Sequence, residues 1–114
     1  MIELSDPEDT KLLTLARSTR ARTGALEGAC VRDTDGRTYA GATVALDSLK
    51  LSAVQVAVAM AVSSGARGLE AVAVLGESTA ARDDDLAAVR DLAGAGVTFL
   101  VATPDASVIE SVST

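Results

Sequence analysis

Side chains able to do acid-base or covalent chemistry are scarce in this chain. Histidine is absent, and the one cysteine, Cys30, lies in the strand-like stretch Gly28-Ala29-Cys30-Val31. A zinc centre takes several thiolate or imidazole ligands, and this inventory cannot supply them. Lys50 and Ser52 stand close enough in sequence to suggest a Ser-Lys nucleophile pair, since a desolvated lysine can activate a hydroxyl. No orienting partner or oxyanion hole is recognisable around them. Asp83-Asp84-Asp85 suggests a divalent cation site, but adjacent helical residues point about 100° apart. Acids are also favoured in the first turn of a helix, so capping is the preferred reading of the run. The glycines at 65, 68, 94 and 96 form neither a dinucleotide nor a phosphate-loop pattern and are assigned to turns and caps. Arg17, Arg20 and Arg22 cluster where a first helix would end, a place that favours cations; a subunit or anion contact is the sharper alternative.

The elements that would position any site follow from local signals. Asp6-Pro7-Glu8-Asp9 opens a helix with a capping acid, a first-turn proline and further acids, and Thr23-Gly24 closes it. Ala25 to Asp33 and Arg37 to Val44 flank Asp35-Gly36, a strong hairpin signal. A helix from about Ser48 or Leu51 to Ser64 carries Ala53, Ala57 and Ala61 at four-residue spacing, a smooth strip that a sheet or another helix can approach closely. Ala71 to Leu75 is an apolar run of strand length, suited to a strand covered on both faces. The three aspartates lead into Leu86, Val89 and Leu92, and Gly94-Ala95-Gly96 stops that helix. Val97 to Ala102 reads as a further strand, and Thr103-Pro104-Asp105 as the start of a short terminal helix. The order α-β-β-α-β-α-β-α predicts an α/β three-layer sandwich, with about four strands in a mixed sheet and helices on both faces.

Composition sets outer bounds. The 114 residues suit one domain over 1–114. Hydrophobic content is 48% but aromatic content only 2%, so Ala, Val and Leu must build the core, with Tyr39 and Phe99 as its rings. Small side chains bury less area per ordered residue, which makes assembly a natural source of extra stability. A net charge of −6 opposes non-specific attraction to nucleic acid. A lone cysteine excludes an internal disulfide and any secreted-type framework. The acidic start Met1-Ile2-Glu3-Leu4-Ser5-Asp6 lacks the features of a signal peptide, and the apolar run near Ala53 to Val62 is far short of a membrane span. A cytoplasmic protein without membrane or nucleic-acid partners is expected.

The stretch Asp35 to Gly65 resembles the centre of a cytidine deaminase, and the resemblance extends in the same order of elements over roughly Asp6 to Thr103. Its scaffold signatures are Gly28-Ala29, Asp35-Gly36-Arg37-Thr38-Tyr39-Ala40-Gly41 and the helix ending Ala57 to Gly65. In that family a G-x-N-x-E-N-A-S segment holds the ribose and the next helix opens with C-A-E; here those places read Gly41-Ala42-Thr43-Val44-Ala45-Leu46-Asp47-Ser48 and Ser52-Ala53-Val54. The resemblance thus puts Ser52 at the first thiolate ligand and Val54 at the general acid/base glutamate. The family's P-C-x-x-C corresponds to Glu77 through Leu86, with Arg82 and Asp85 at its two cysteines. Thr43 and Ala45 replace the ribose-binding asparagine and glutamate, and Ala25 falls at a base-stacking phenylalanine.

The resemblance therefore implies the family's scaffold without its zinc or its proton shuttle. A catalytically inactive homologue is expected, with no catalytic residue, metal or cofactor. Ser52, Val54, Arg82 and Asp85 are its vestigial catalytic positions. Its role would be structural or in protein interaction, as a homo-oligomer (a dimer or tetramer) or with a different protein, with Ala53, Ala57 and Ala61 as candidate interface residues. The alternative is a small-molecule, nucleoside-like binding or sensing module that uses the vestigial pocket of Ala25, Thr43, Ala45, Ser48 and Ser52. Residual deamination would require zinc held by ligands that the chain lacks.

Overall fold

The structure is a computed structural model that describes residues 2–114. Helix α1 spans Pro7–Thr23 and begins where Asp6 accepts a hydrogen bond from the Glu8 amide at 2.9 Å. It ends on Gly24, whose N–H donates to the Arg20 carbonyl. Strands β1 (Glu27–Asp33) and β2 (Thr38–Ala42) form the hairpin expected around Asp35-Gly36. A small ribbon of β3 (Val44–Leu46) and β4 (Leu49–Leu51) then leads into α2 (Ala53–Ser63). There follow β5 (Leu69–Gly76), α3 (Asp83–Ala93), β6 (Thr98–Ala102) and β7 (Val108–Ser113).

The main sheet has five strands in the order β2-β1-β5-β6-β7, with β5 and β6 parallel and the other neighbours antiparallel. The expected mixed sheet therefore has one more strand than the sequence reading gives, and the terminal helix expected after Thr103-Pro104-Asp105 is a strand. Asp105 accepts from the Ser107 amide and the Thr103 hydroxyl, and Ala106 takes a left-handed φ of 70°. These contacts turn the chain back on itself instead of starting a helix. Val108, Ile109 and Val112 then supply the β-branched residues that favour a strand.

Alternation along the strands makes two cores. On one face Leu12, Leu13 and Ala16 of α1 cover Cys30, Ala71, Ala73, Leu75 and Leu100. On the other, Val54, Ala57 and Ala61 of α2 and Val89 of α3 cover Ala29, Val31, Val72, Val74 and Phe99. The apolar run of β5 feeds both cores, as its lack of a polar face requires. Arg32 ties the layers at one end, donating to Asp9 of α1 at 3.0 Å and to Glu70 of β5 at 2.9 Å.

Two glycines let the helices lie close to the sheet. A Cβ at Gly28 would run into the Ala16 carbonyl of α1, and one at Gly41 would meet the Ala57 amide nitrogen of α2 at 2.8 Å. The alanine strip of α2 therefore faces the sheet. Ala53, Ala57 and Ala61 are fully buried in the core, which corrects their assignment to an oligomer interface. The small side chains that would suit a second helix are spent on close approach to β2.

Candidate functional site

Ser52 is 33 residues before Asp85 in sequence, but the folded chain brings it to Arg82 and Asp85 at the neighbouring starts of α2 and α3. Ser52 is the N-cap of α2: its hydroxyl accepts from the Gln55 amide at 3.1 Å, and the Gln55 side chain accepts from the Ser52 amide at 2.9 Å. This reciprocal box satisfies two otherwise unpaired amides and holds the serine rotamer. The Ser52 hydroxyl donates to Oδ1 of Asp85 at 2.5 Å. Arg82 stands at the N-cap of α3, three residues before Asp85, and its Nη2 donates to Asp85 Oδ2 at 3.3 Å. The same Nη2 reaches Glu27 Oε1, on the first residue of β1, at 2.6 Å.

Glu27 and Asp85 are 7% and 2% exposed, so both carboxylates are largely out of water, where a charge needs a partner. The guanidinium of Arg82 is their common cation. Burial works against its charge, but attraction to Glu27 and Asp85 outweighs burial and raises its pKa above the ordinary arginine value. The site is an ion-pair cluster in which one guanidinium serves two carboxylates.

Above it lies a cleft of about 220 Å³ lined by Leu26, Glu27, Thr43, Glu77, Ser78 and Arg82. Thr43 is fixed at its rim: its hydroxyl accepts from the Glu27 amide at 3.1 Å, and its own amide donates to the Glu27 carbonyl at 3.2 Å. Among the residues expected to form a vestigial pocket, Thr43 lines the cleft and Ser52 sits in the cluster beside it. Ala25 precedes the lining residue Leu26, and Ala45 and Ser48 are exposed on the β3–β4 ribbon. The ribbon carries those two away because it folds on itself instead of running along the cleft. Val54 is fully buried in the core under α2. A proton shuttle is therefore excluded at this position both by the residue type and by where its side chain lies.

Sequence reasoning missed Glu27, Glu77 and Ser78. Glu77 and Ser78 open the stretch set against the family's P-C-x-x-C without being singled out there, and Glu27 left a signal as an acid opening a strand whose next residues, Gly28-Ala29-Cys30-Val31, are small or apolar. Cys30 lies under α1 on the opposite face of the sheet, and burial pushes its thiol up to about 11, so it is a protonated core residue at neutral pH.

The donor set does not fit a zinc ion. Zinc takes thiolate, imidazole or carboxylate, whereas positions 52, 82 and 85 offer a hydroxyl, a fixed cation and one carboxylate already bonded to both. Among the described residues no group of three or more His, Cys, Asp or Glu side chains is placed to hold a metal ion.

A family model described as cytidine deaminase-like matches residues 5–106. No curated protein matches the chain. Among solved structures, the chain is similar to a cytidine deaminase from Burkholderia pseudomallei, with a TM-score of 0.80 at 22% identity over 91% of each chain. A cytidine deaminase from Mycobacterium leprae gives 0.74 at 20% identity, over 95% of this chain and 94% of that one. One from Mycobacterium tuberculosis gives 0.71 at 24%, over 82% and 85%. At these identities the likeness establishes a shared fold.

Proposed function

The chain belongs to the cytidine deaminase-like family, and from that premise we propose that it is a non-catalytic member serving as a structural or interaction domain that assembles with copies of itself. The observation that carries this reading is the convergence of Ser52, Arg82 and Asp85 with Glu27 into an ion-pair cluster, with Val54 packed in the core. A deaminase needs a metal-bound water and a carboxylate beside it. Here a guanidinium and a valine stand at the matching positions, so no group activates water or carries a proton to a base.

The assembly half of the proposal rests on α2. Its sequence AVQVAVAMAVS contains no charged residue, and a helix apolar all round is normally covered all round. One side is buried on the sheet; Met60 and Val62 on the outside are 42% and 52% exposed. Leu46 and Leu49 add exposed apolar surface on the β3–β4 ribbon. In a chain of net charge −6 an uncharged face is where two copies meet with least repulsion. Light scattering during gel filtration should give a mass of two or more chains, and Met60→Asp with Val62→Asp should reduce it to that of one. A wild-type monomer at about 100 μM would remove assembly from the account; this concentration is set well above the ~1 μM dissociation constant of a modest stable interface.

The cleft above the cluster favours a second reading, a binding module for a small nucleoside-like molecule. Its walls combine the Leu26 side chain with Thr43, Ser78 and the half-exposed Arg82, the mixture of apolar walls and a few polar groups that ligand sites use. A ligand at about one hundred times its dissociation constant stabilises the fold by ~2.7 kcal/mol. Nucleosides at millimolar concentration should therefore raise the melting temperature by several degrees if this reading holds, and leave it unchanged under the first.

A further inference from the structure

We infer that Arg82 is this chain's resident replacement for a bound cation: its guanidinium fastens β1, α2 and α3 together at a point where the backbone still gathers positions 52, 82 and 85 as a metal centre would. The inference rests on the non-catalytic reading above and gives the altered site a mechanical role. Three separate segments meet there, through Glu27 on β1, the Ser52 cap of α2, and Arg82 with Asp85 on the first turn of α3.

The cation has two carboxylate partners, and Ser52 is joined to it through one of them, Asp85. Nη2 of Arg82 lies 2.6 Å from Glu27 and 3.3 Å from Asp85, and the Ser52 hydroxyl lies 2.5 Å from the other Asp85 oxygen. Arg82 stands at the N-cap of α3 in extended backbone, and Asp85 follows three residues later in the first turn, within reach of the arginine side chain. Both carboxylates are nine-tenths or more buried, while the arginine side chain is half-exposed and closes the cluster from the solvent side. Without the cation, two carboxylates would face each other in a poorly hydrated place and push the three segments apart.

The test uses melting temperatures and metal content. Arg82→Met, which keeps the bulk and removes the charge, should melt at least about 5 °C lower than the wild type, on the scale expected for a domain of this size. Adding Glu27→Gln and Asp85→Asn to that variant removes the stranded charge and should recover half or more of the loss, which a purely steric role for Arg82 would not produce. Wild type should melt at the same temperature with zinc or with chelator. Ser52→Cys/Arg82→Cys/Asp85→Cys should instead carry one zinc per chain and melt higher with zinc than with chelator. The inference is overturned if Arg82→Met is as stable as wild type, if neutralising the two carboxylates recovers nothing, if zinc raises the wild-type melting temperature, or if a folded triple-cysteine variant takes up no zinc. Should the triple-cysteine chain fail to fold under either condition, the Arg82→Met comparisons decide alone. Turnover of cytidine would sink the non-catalytic reading; the failures named here would leave that reading standing.

Discussion

The carboxylate of Asp33 accepts from the amides of Asp35 and Arg37 and from the hydroxyl of Tyr39, each at 2.9 Å, and so holds the β1–β2 turn. Burial acts to raise its pKa, but these hydrogen bonds outweigh burial and hold the carboxyl below the usual aspartate value. A depressed folded-state pKa means that the ionised form stabilises the fold. The contribution is fully present above the ordinary aspartate pKa of about 3.9, and is lost as pH falls through the lower folded value. Wild-type stability in urea should accordingly drop more steeply below about pH 4 than that of Asp33→Asn; parallel curves would contradict the role. The bond from Tyr39 to Asp33 raises the tyrosine pKa, so that pair weakens at the alkaline end as well. At this scale the sequence was partly legible. The resemblance placed Ser52, Arg82 and Asp85 at positions that the fold does bring together. Glu27 was not legible, because its bond to Arg82 joins residues 55 apart in the chain and depends on the packing of three elements.

Among the elements, those with chemical punctuation were readable and those without were not. Asp6-Pro7 with Gly24 bounds α1, and Asp35-Gly36 turns the β1–β2 hairpin, as local rules require. Thr103-Pro104-Asp105 carries the same polar-then-proline signature as a helix start, yet Asp105 bonds into a turn and β7 follows. The β3–β4 ribbon is not among the elements expected from the sequence, because three residues per strand are too few to show a period. The facing of α2 was ambiguous because alanines suit a sheet and a helix equally; Gly41 decides it by letting β2 reach the Ala57 amide. Gly41→Ala should therefore force α2 off the sheet and cost about 1–3 kcal/mol, the usual penalty for overpacking. A lower urea midpoint with an unchanged slope would agree with this, and an unchanged midpoint would show that the helix is not in contact there.

For the whole molecule, the order of elements and the two-faced strands were enough to derive helices on both sides of a sheet. What the sequence could not supply is what covers the outside of α2, since an apolar face gives no identity to its partner. Among the described residues no helix is long and apolar enough to cross a membrane. The family's fold is intact here, while Ser52, Arg82 and Asp85, three of the positions expected to carry its chemistry, join Glu27 in a salt-bridge cluster and the fourth, Val54, lies in the core. The most direct test is to incubate the purified protein with cytidine and added zinc and follow conversion to uridine. The account predicts no conversion above a protein-free control; turnover that disappears on chelation would contradict it and restore the chain to the enzymes whose fold it shares.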